Sequence, residues 1–311
     1  MTKTIDVAAL GEAMVEFNQT HPGEPHYLQG FGGDTSNTVI AAARAGARTT
    51  YLTRLGQDRF GDALLDLWRR EGVECAAIER DADAHTAVYF VTHGEQGHEF
   101  SYLRAGSAAS RMTPDWLHSS PVRERIANAK FLHVSGISLA ISSTACDTVL
   151  AAMRLAREVQ TSVSLDSNLR LKLWPLARAR QVIEEAVHLC DLFLPSLEDM
   201  TTLTGLTDPE TIVDWGHEHG ARTVVLKLGE AGALVSDGRR RERVPGHSVK
   251  LVDATGAGDC FCGNLLARLA QGDDIFAATR YANVAASIAV QGFGAVQPLP
   301  TAVQVKAVLH G

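Results

Sequence analysis

Nowhere in its 311 residues does this chain hold a run approaching the ~18 consecutive apolar residues of a membrane-spanning helix. Its first residues (Met1-Thr2-Lys3-Thr4-Ile5-Asp6) carry no hydrophobic signal core. The expectation is a soluble, cytoplasmic protein with no membrane partner. Positive charge is not in excess either: 29 Lys and Arg stand against 36 Asp and Glu, a net charge of −7. That balance argues against a nucleic-acid surface. The one basic run, Arg239-Arg240-Arg241-Glu242-Arg243, follows the turn signal Asp237-Gly238 and reads as a solvated hairpin tip. The five cysteines (75, 146, 190, 260 and 262) are an odd number without a Cys-x-x-Cys pair. Cys260 and Cys262 sit two apart at a helix start, which aims their thiols to different sides and points to buried free thiols rather than zinc. His217-x-His219 likewise lacks the i,i+4 spacing of a helical metal pair. No Gly-x-x-x-x-Gly-Lys-Ser/Thr occurs, so there is no P-loop. Gly256-x-Gly258 is followed by Phe261 where a dinucleotide fingerprint needs glycine or alanine, and it lies late in the chain.

What is present is concentrated in Asp253-Ala254-Thr255-Gly256-Ala257-Gly258-Asp259, placed between a β-rich lead-in (249–252) and an apolar helical run (260–270). Small residues at a strand-to-helix junction let backbone N–H groups crowd around an anion, where the helix N-terminus adds partial positive charge. A carboxylate in that first turn would repel a phosphate, so Asp259 suggests a base that meets a substrate hydroxyl. Anion cradle plus base implies phosphoryl transfer. The competing reading is a tight turn whose helix cap happens to carry an acid.

The length allows about two domains, or one large α/β domain with an insertion. Ile5 to Leu10 reads as a buried first strand. Residues 15–18 and 27–28 then form an early hairpin, and 38–46 a helix closed by glycine. A strand at 50–55 and a helix at 60–71 follow. A second β-only section covers 85–92 and 99–104. Strands at 131–134, 163–166, 192–194 and 223–226 then alternate with helices at 144–160, 177–188, 198–204 and 211–218, the pattern of a doubly wound, mostly parallel sheet flanked by helices. The two β-only sections, about 13–31 and 85–106, cannot join that sheet by crossovers and are expected to pair as a small β-sheet lid. The whole chain, 1–311, reads as one α/β domain bearing this lid. An exposed lid edge can pair with its mate, so a homodimer through the lid is an expected assembly.

Several weaker constellations lie where loops follow strands. Gly33 lets backbone approach a ligand, and Asp34 and Asn37 could bind hydroxyls, or Asp34 or Thr35 could simply cap the helix. Phe100, Tyr102 and Arg104 share one face by period-2 geometry; the arginine fork suits a carboxylate or phosphate, or only guards an edge strand. Asp166-Ser167-Asn168-Leu169-Arg170 leaves a buried strand, where Arg170 could form a second arm against an anion or the segment could be an Asx turn. Lys227-Leu228-Gly229-Glu230-Ala231-Gly232 could cradle a nucleotide, but by itself reads as a turn.

In this order the strings Phe31 to Asn37, Tyr102-Leu103-Arg104, Ser135 to Ala140, Asp166 to Arg170 with Leu173-Trp174, and Asp253 to Asp259 resemble the PfkB (ribokinase-like) carbohydrate kinase family over essentially the whole chain. The arginine-bearing strings narrow the resemblance to 2-keto-3-deoxygluconate kinases. The resemblance implies a ribokinase-like fold and transfer of the γ-phosphoryl of ATP, with Mg²⁺, to a small-molecule sugar acid. It implies Asp259 as base and the amides of Gly256, Ala257 and Gly258 as anion hole. Gly33, Asp34, Asn37, Tyr89, Tyr102, Arg104 and Arg170 would hold the sugar. Asn168, Arg170, Lys227, Gly229, Gly232, Gly256 and Gly258 would line the ATP site. Asp253 would serve a monovalent cation such as K⁺, and Asp199 a water-mediated Mg²⁺ contact. Two departures from the family pattern stand out: Ser196-Leu197-Glu198-Asp199 replaces an Asn-x-x-Glu element, and Ala254 stands where threonine is frequent.

Overall fold

Runs of Val, Ile, Leu and Ala that are apolar on both strand faces demand cover from both sides, and the chain supplies it. The computed structural model describes residues 3–94 and 97–310. Its strands are β1 (Ile5–Leu10), β2 (Met14–Gln19), β3 (Tyr27–Gly32), β4 (Thr49–Leu52), β5 (Arg54–Gly56), β6 (Glu79–Asp81) and β7 (Val88–Gly94). They continue with β8 (Gly97–Leu103), β9 (Ala129–Ser135), β10 (Ser162–Asp166), β11 (Leu192–Phe193), β12 (Thr223–Lys227), β13 (Ala233–Ser236) and β14 (Arg241–Val244). Eight of them form the main sheet in the order β14-β13-β12-β11-β10-β9-β1-β4. Pairing is parallel from β4 to β12, and antiparallel for β13 and β14. One apolar cluster packs the helices at 143–158 and 176–189 on one face, and a second packs the helix at 257–270 on the other. This is the doubly wound, mostly parallel sheet flanked by helices that was expected.

The connection reverses at β1, which has β4 on one side and β9 on the other. That reversal opens a crevice at the carboxyl ends of the strands, the place where such sheets bind ligands. The segments that follow β1, β9, β10 and β12 all leave from this edge.

The β-only sections pair as expected. Hairpins β2/β3 and β7/β8 join through a parallel β2/β7 contact, giving a four-stranded sheet β3-β2-β7-β8. Alternation divides its faces. Phe17 and Phe90 stack at 5.3 Å, and Phe17 meets Phe60 of the helix Arg59–Arg70, which anchors the sheet to the body. The opposite face carries Glu16, Tyr89, Phe100 and Tyr102.

Three expectations needed correction. The helix placed at 38–46 is Asp34–Arg44, with Gly33 as its N-cap at φ 115° and no side chain capping it. Asp34 and Thr35 are therefore not caps but buried members of the first turn. The β-rich lead-in at 249–252 is no strand: Val252 and Asp253 both donate to the Val290 carbonyl, and Leu251 is 63% exposed. β-propensity without a neighbouring strand to pair with gave an extended loop. Helices at Ser120–Asn128, Ile275–Ala289 and Ala302–His310 were not anticipated.

The other weak signals resolve into ordinary structure. The basic run forms the β13/β14 turn, where Arg241 meets Glu210 and Asp214. Cys260 and Cys262 lie in different apolar clusters, on opposite sides of their helix. His217 bonds the Ala221 carbonyl and Ser236, while His219 stacks on Trp215. No helix among the described residues is long and apolar enough to cross a membrane.

Candidate active site

The helix Ala257–Ala270 opens at the crevice edge with Gly256 in the left-handed region at φ 74°. A side chain there would be strained, and its Cβ would sit 3.1 Å from Ala295 Cα. No side chain caps this end. The N–H of Ala257 donates back to Ala254 O at 3.1 Å, so this member of the expected anion hole is engaged in the turn and the opening narrows toward Gly258. Asp253 shapes the loop. Its Oδ1 accepts from Thr255 N and Oγ1 at 2.9 and 2.6 Å, and its Oδ2 accepts from Gly294 N at 2.9 Å.

Asp259, in the first turn of that helix, is buried and accepts from Asn37 Nδ2 at 2.8 Å. Burial, then the neighbouring charges of Asp34 and Asp166, push its carboxyl up to about 7; the Asn37 amide and Lys227 oppose the shift. Asp34 is also buried and raised by burial. Its Oδ2 accepts from Asn168 Nδ2 at 2.8 Å, and its Oδ1 has no well-aligned hydrogen bond. Asn168 itself adopts φ 27°, a strained value for a non-glycine residue, under a 3.3 Å bond from its N–H to Asp166 Oδ1. Two side-chain amides, Asn37 and Asn168, thus hold two carboxylates, Asp259 and Asp34, in one cleft.

Gly33 allows a close approach: a Cβ would lie 2.6 Å from the Glu12 carbonyl. Tyr89 is buried under Gly32, and its hydroxyl donates to Glu16. Burial and the Glu16 charge raise its pKa, and the Asp259 charge adds to the same effect. Tyr102 stacks on Tyr89 at 5.8 Å and lies under the influence of both Arg104 and Arg170.

Neither arginine is bare. Arg104 lies one residue beyond β8 and brings Nη2 within 2.6 Å of Glu12 Oε2, without the alignment of a hydrogen bond. Arg170 donates to the Leu169 carbonyl at 2.8 Å and is otherwise exposed.

Lys227 departs most from expectation. Its half-buried ammonium pairs with Asp166, with Nζ 2.8 and 2.9 Å from the two carboxylate oxygens. Gly229 and Gly232 belong to the turn between β12 and β13. Gly232 is forced by its φ of 92° and by the close approach of Val244, Pro245 and Gly246. Asp199 is committed to Ser167 Oγ at 2.7 Å, and its N–H to the cap Ser196.

Sequence reasoning overlooked Glu12 and Glu16 as members of the site, and passed over Asp166 except as part of a string. Glu12 had a signal: it directly follows β1, at the carboxyl end of a sheet strand. Asp166 needed Lys227, 61 residues away, and no local pattern joins them.

The sequence profile described as "pfkB family carbohydrate kinase" matches residues 4–302. A 2-dehydro-3-deoxygluconokinase of Thermoproteus tenax is 34% identical over 310 residues, covering 96% of this chain and 92% of that protein. Fructokinase-2 of Solanum habrochaites is 32% identical over 322 residues, covering 98% and 96%. Among solved structures, fructokinase from Vibrio cholerae O395 in its fructose-, ADP- and calcium-bound form superposes with a TM-score of 0.86 at 31% identity, covering 98% of both chains. With the cleft, the uncapped helix end and the raised carboxylate in place, the chain belongs to the pfkB family and is an ATP-dependent carbohydrate kinase.

Proposed function

We propose that this kinase transfers the γ-phosphoryl of Mg-ATP to the terminal hydroxyl of 2-keto-3-deoxygluconate (2-dehydro-3-deoxygluconate), giving 2-keto-3-deoxy-6-phosphogluconate, with the whole chain as one catalytic unit. The observation that carries the acid specificity is Tyr102, on which Arg104 and Arg170 both bear. Two guanidinium groups beside a phenol at the lid suit a carboxylate, while Asp34, Asn37 and Asp259 beneath suit hydroxyls. Arg104 is ion-paired to Glu12 at 2.6 Å, so a substrate carboxylate has to share the guanidinium with it.

Asp259 takes the proton from the attacking hydroxyl. A carboxyl near 7 is matched to that task at neutral pH. The helix N-terminus at Gly258 faces the charge on the transferring group. Lid closure over the sugar would exclude water, which otherwise wastes ATP by hydrolysis. Asp199, already bonded to Ser167, fits only a water-mediated contact to the Mg²⁺ of Mg-ATP. Asp253 ties its own loop to that of Gly294 through its two carboxylate oxygens, and no step is assigned to a monovalent cation there.

A second reading, fructokinase, is favoured by the same Glu12, whose charge offsets that of Arg104. An ATP-consumption assay against 2-keto-3-deoxygluconate, fructose and ribose decides. The expected result is a kcat/KM for the keto acid at least about tenfold above fructose, the value of one charged hydrogen bond. Equal or better use of fructose overturns the acid reading in favour of the second.

A further inference from the structure

We propose that Lys227 supplies a fixed positive charge to the transferring phosphoryl group, and that Asp166 is the positioning residue that keeps it there. The proposal concerns the phosphate end of the cleft and is independent of which sugar is bound.

The two residues leave the sheet edge from β10 and β12, on either side of β11. The Lys227 backbone is fixed by its N–H to Pro195 O at 2.8 Å, so its side chain runs from a rigid strand end into the cleft. Its Nζ meets Asp166 Oδ1 and Oδ2 at 2.8 and 2.9 Å. The thiol of Cys262, from the helix that bears Asp259, lies 3.4 Å from Asp166 Oδ2 and 3.8 Å from Nζ.

The decisive distance is to the anion hole. A Cβ built on Gly258 would stand 3.4 Å from Lys227 Nζ, the nearest atom to it outside its own turn of helix. The ammonium therefore abuts the first turn of the helix whose N-terminus faces the transferring group, and glycine at 258 leaves the space between them open. An ammonium has three donors. Two are directed at Asp166, and the third reaches only the weak sulfur acceptor of Cys262 at 3.8 Å, which a phosphoryl oxygen on the Gly258 side can replace.

Burial works against the charge of this lysine; Asp166 outweighs burial and raises its pKa above the ordinary value, so it stays an ammonium. The fold gains little from the pair, since buried ion pairs are often replaceable by packed apolar residues without loss of stability. A charge pre-placed where the reaction accumulates negative charge does serve catalysis, because it needs no reorganisation.

The test compares binding of ADP and of a non-hydrolysable β,γ-imido ATP analogue, by calorimetry, for the wild type, Lys227→Met, Asp166→Asn and the double variant, with steady-state kinetics on each. Lys227→Met is expected to weaken the triphosphate analogue about tenfold or more while ADP changes little, and to lower kcat by on the order of 10²–10³ with sugar KM nearly unchanged. Asp166→Asn should follow in the same direction, and for binding of the analogue the double variant should be no worse than Lys227→Met, because Asp166 reaches the phosphate only through the lysine; its separate effect on Asp259 enters kcat alone. Should Asp166→Asn fail to fold around an unpaired ammonium, the double variant, which buries no charge there, carries the comparison. Equal weakening of ADP and the analogue, a wild-type kcat in Lys227→Met or the double variant, or additive losses in analogue binding would each overturn the proposal.

Discussion

Asp166 and Asp259 are both buried in one crevice, yet the first is held below the ordinary carboxylate range and the second is pushed up to about 7. Burial raises both. The difference lies in the nearest donor. Asp166 faces an ammonium at 2.8 Å, whereas Asp259 faces only the neutral amide of Asn37 at the same distance, with the charge of Asp34 against it. An ion-paired carboxylate is spent as an anchor, while an amide-held one remains able to exchange a proton at neutral pH. The chemistry of the cleft follows from which acid receives the Lys227 ammonium.

The strongest way to break this contrast is Asp259→Asn. If the amide-held acid is the base, turnover should fall by on the order of 10²–10⁴ while sugar KM changes little. A loss of less than about tenfold in steady-state assays removes Asp259 from the mechanism. A smaller effect is expected at the lid, where Arg170 bears on Tyr102. Arg170→Ala should cost about 1.5–3 kcal/mol of transition-state binding, roughly tenfold to a hundredfold in kcat/KM, for the keto acid. The same variant should leave fructose phosphorylation nearly unchanged; equal losses for both sugars would show that Arg170 does not meet the carboxylate.

These two residues also mark how far the sequence could be read. Asp259 was legible because glycines, a helix start and an acid fall within seven consecutive residues (253–259). The lid was legible because two β-only stretches had nowhere else to pair, and β2 and β7 do pair. The start of the helix at Asp34 was misjudged because Asp, Thr and Ser there have the composition of a cap, while Gly33 holds the turn. Residues 249–252 had strand composition, but whether a partner strand lay beside them was a tertiary fact. The assignment of Lys227 to Asp166, and of Arg104 to Glu12, required knowing that the ends of different strands, and the lid, meet at one edge. Local periodicity carries no such information.

The pH dependence sharpens the contrast further. If a group near 7 must be ionised to act, kcat/KM should fall as pH drops below about 7, with Asp259 protonated. Because Asp34 is among the causes of the raised value, Asp34→Asn should move that acid limb downward by up to about one pH unit. An unmoved limb would mean that burial alone sets it.

The smallest effect sets the two carboxylates against each other in stability. Asp259 has a folded pKa above its unfolded value of 3.8, so between about pH 4 and 7 the native state holds a proton that the unfolded chain has lost. Stability from this group is therefore full below the unfolded pKa and declines as pH rises through the folded one. Asp166 is lowered, so its contribution is present above the unfolded pKa and is lost only as pH falls below that range. Across pH 5 to 7.5 Asp166 should give no slope, and Asp259 should give a destabilising one. Its size should be on the order of 1–2 kcal/mol, less than full conversion of the shift because Asp34 competes for the same proton. Urea midpoints of the wild type and Asp259→Asn at the two pH values measure it directly. The wild type should lose stability toward pH 7.5 relative to the variant, whose side chain cannot ionise. Parallel behaviour of the two proteins would mean that Asp259 is already charged at pH 5, and that the amide-held acid differs from the ion-paired one in position alone.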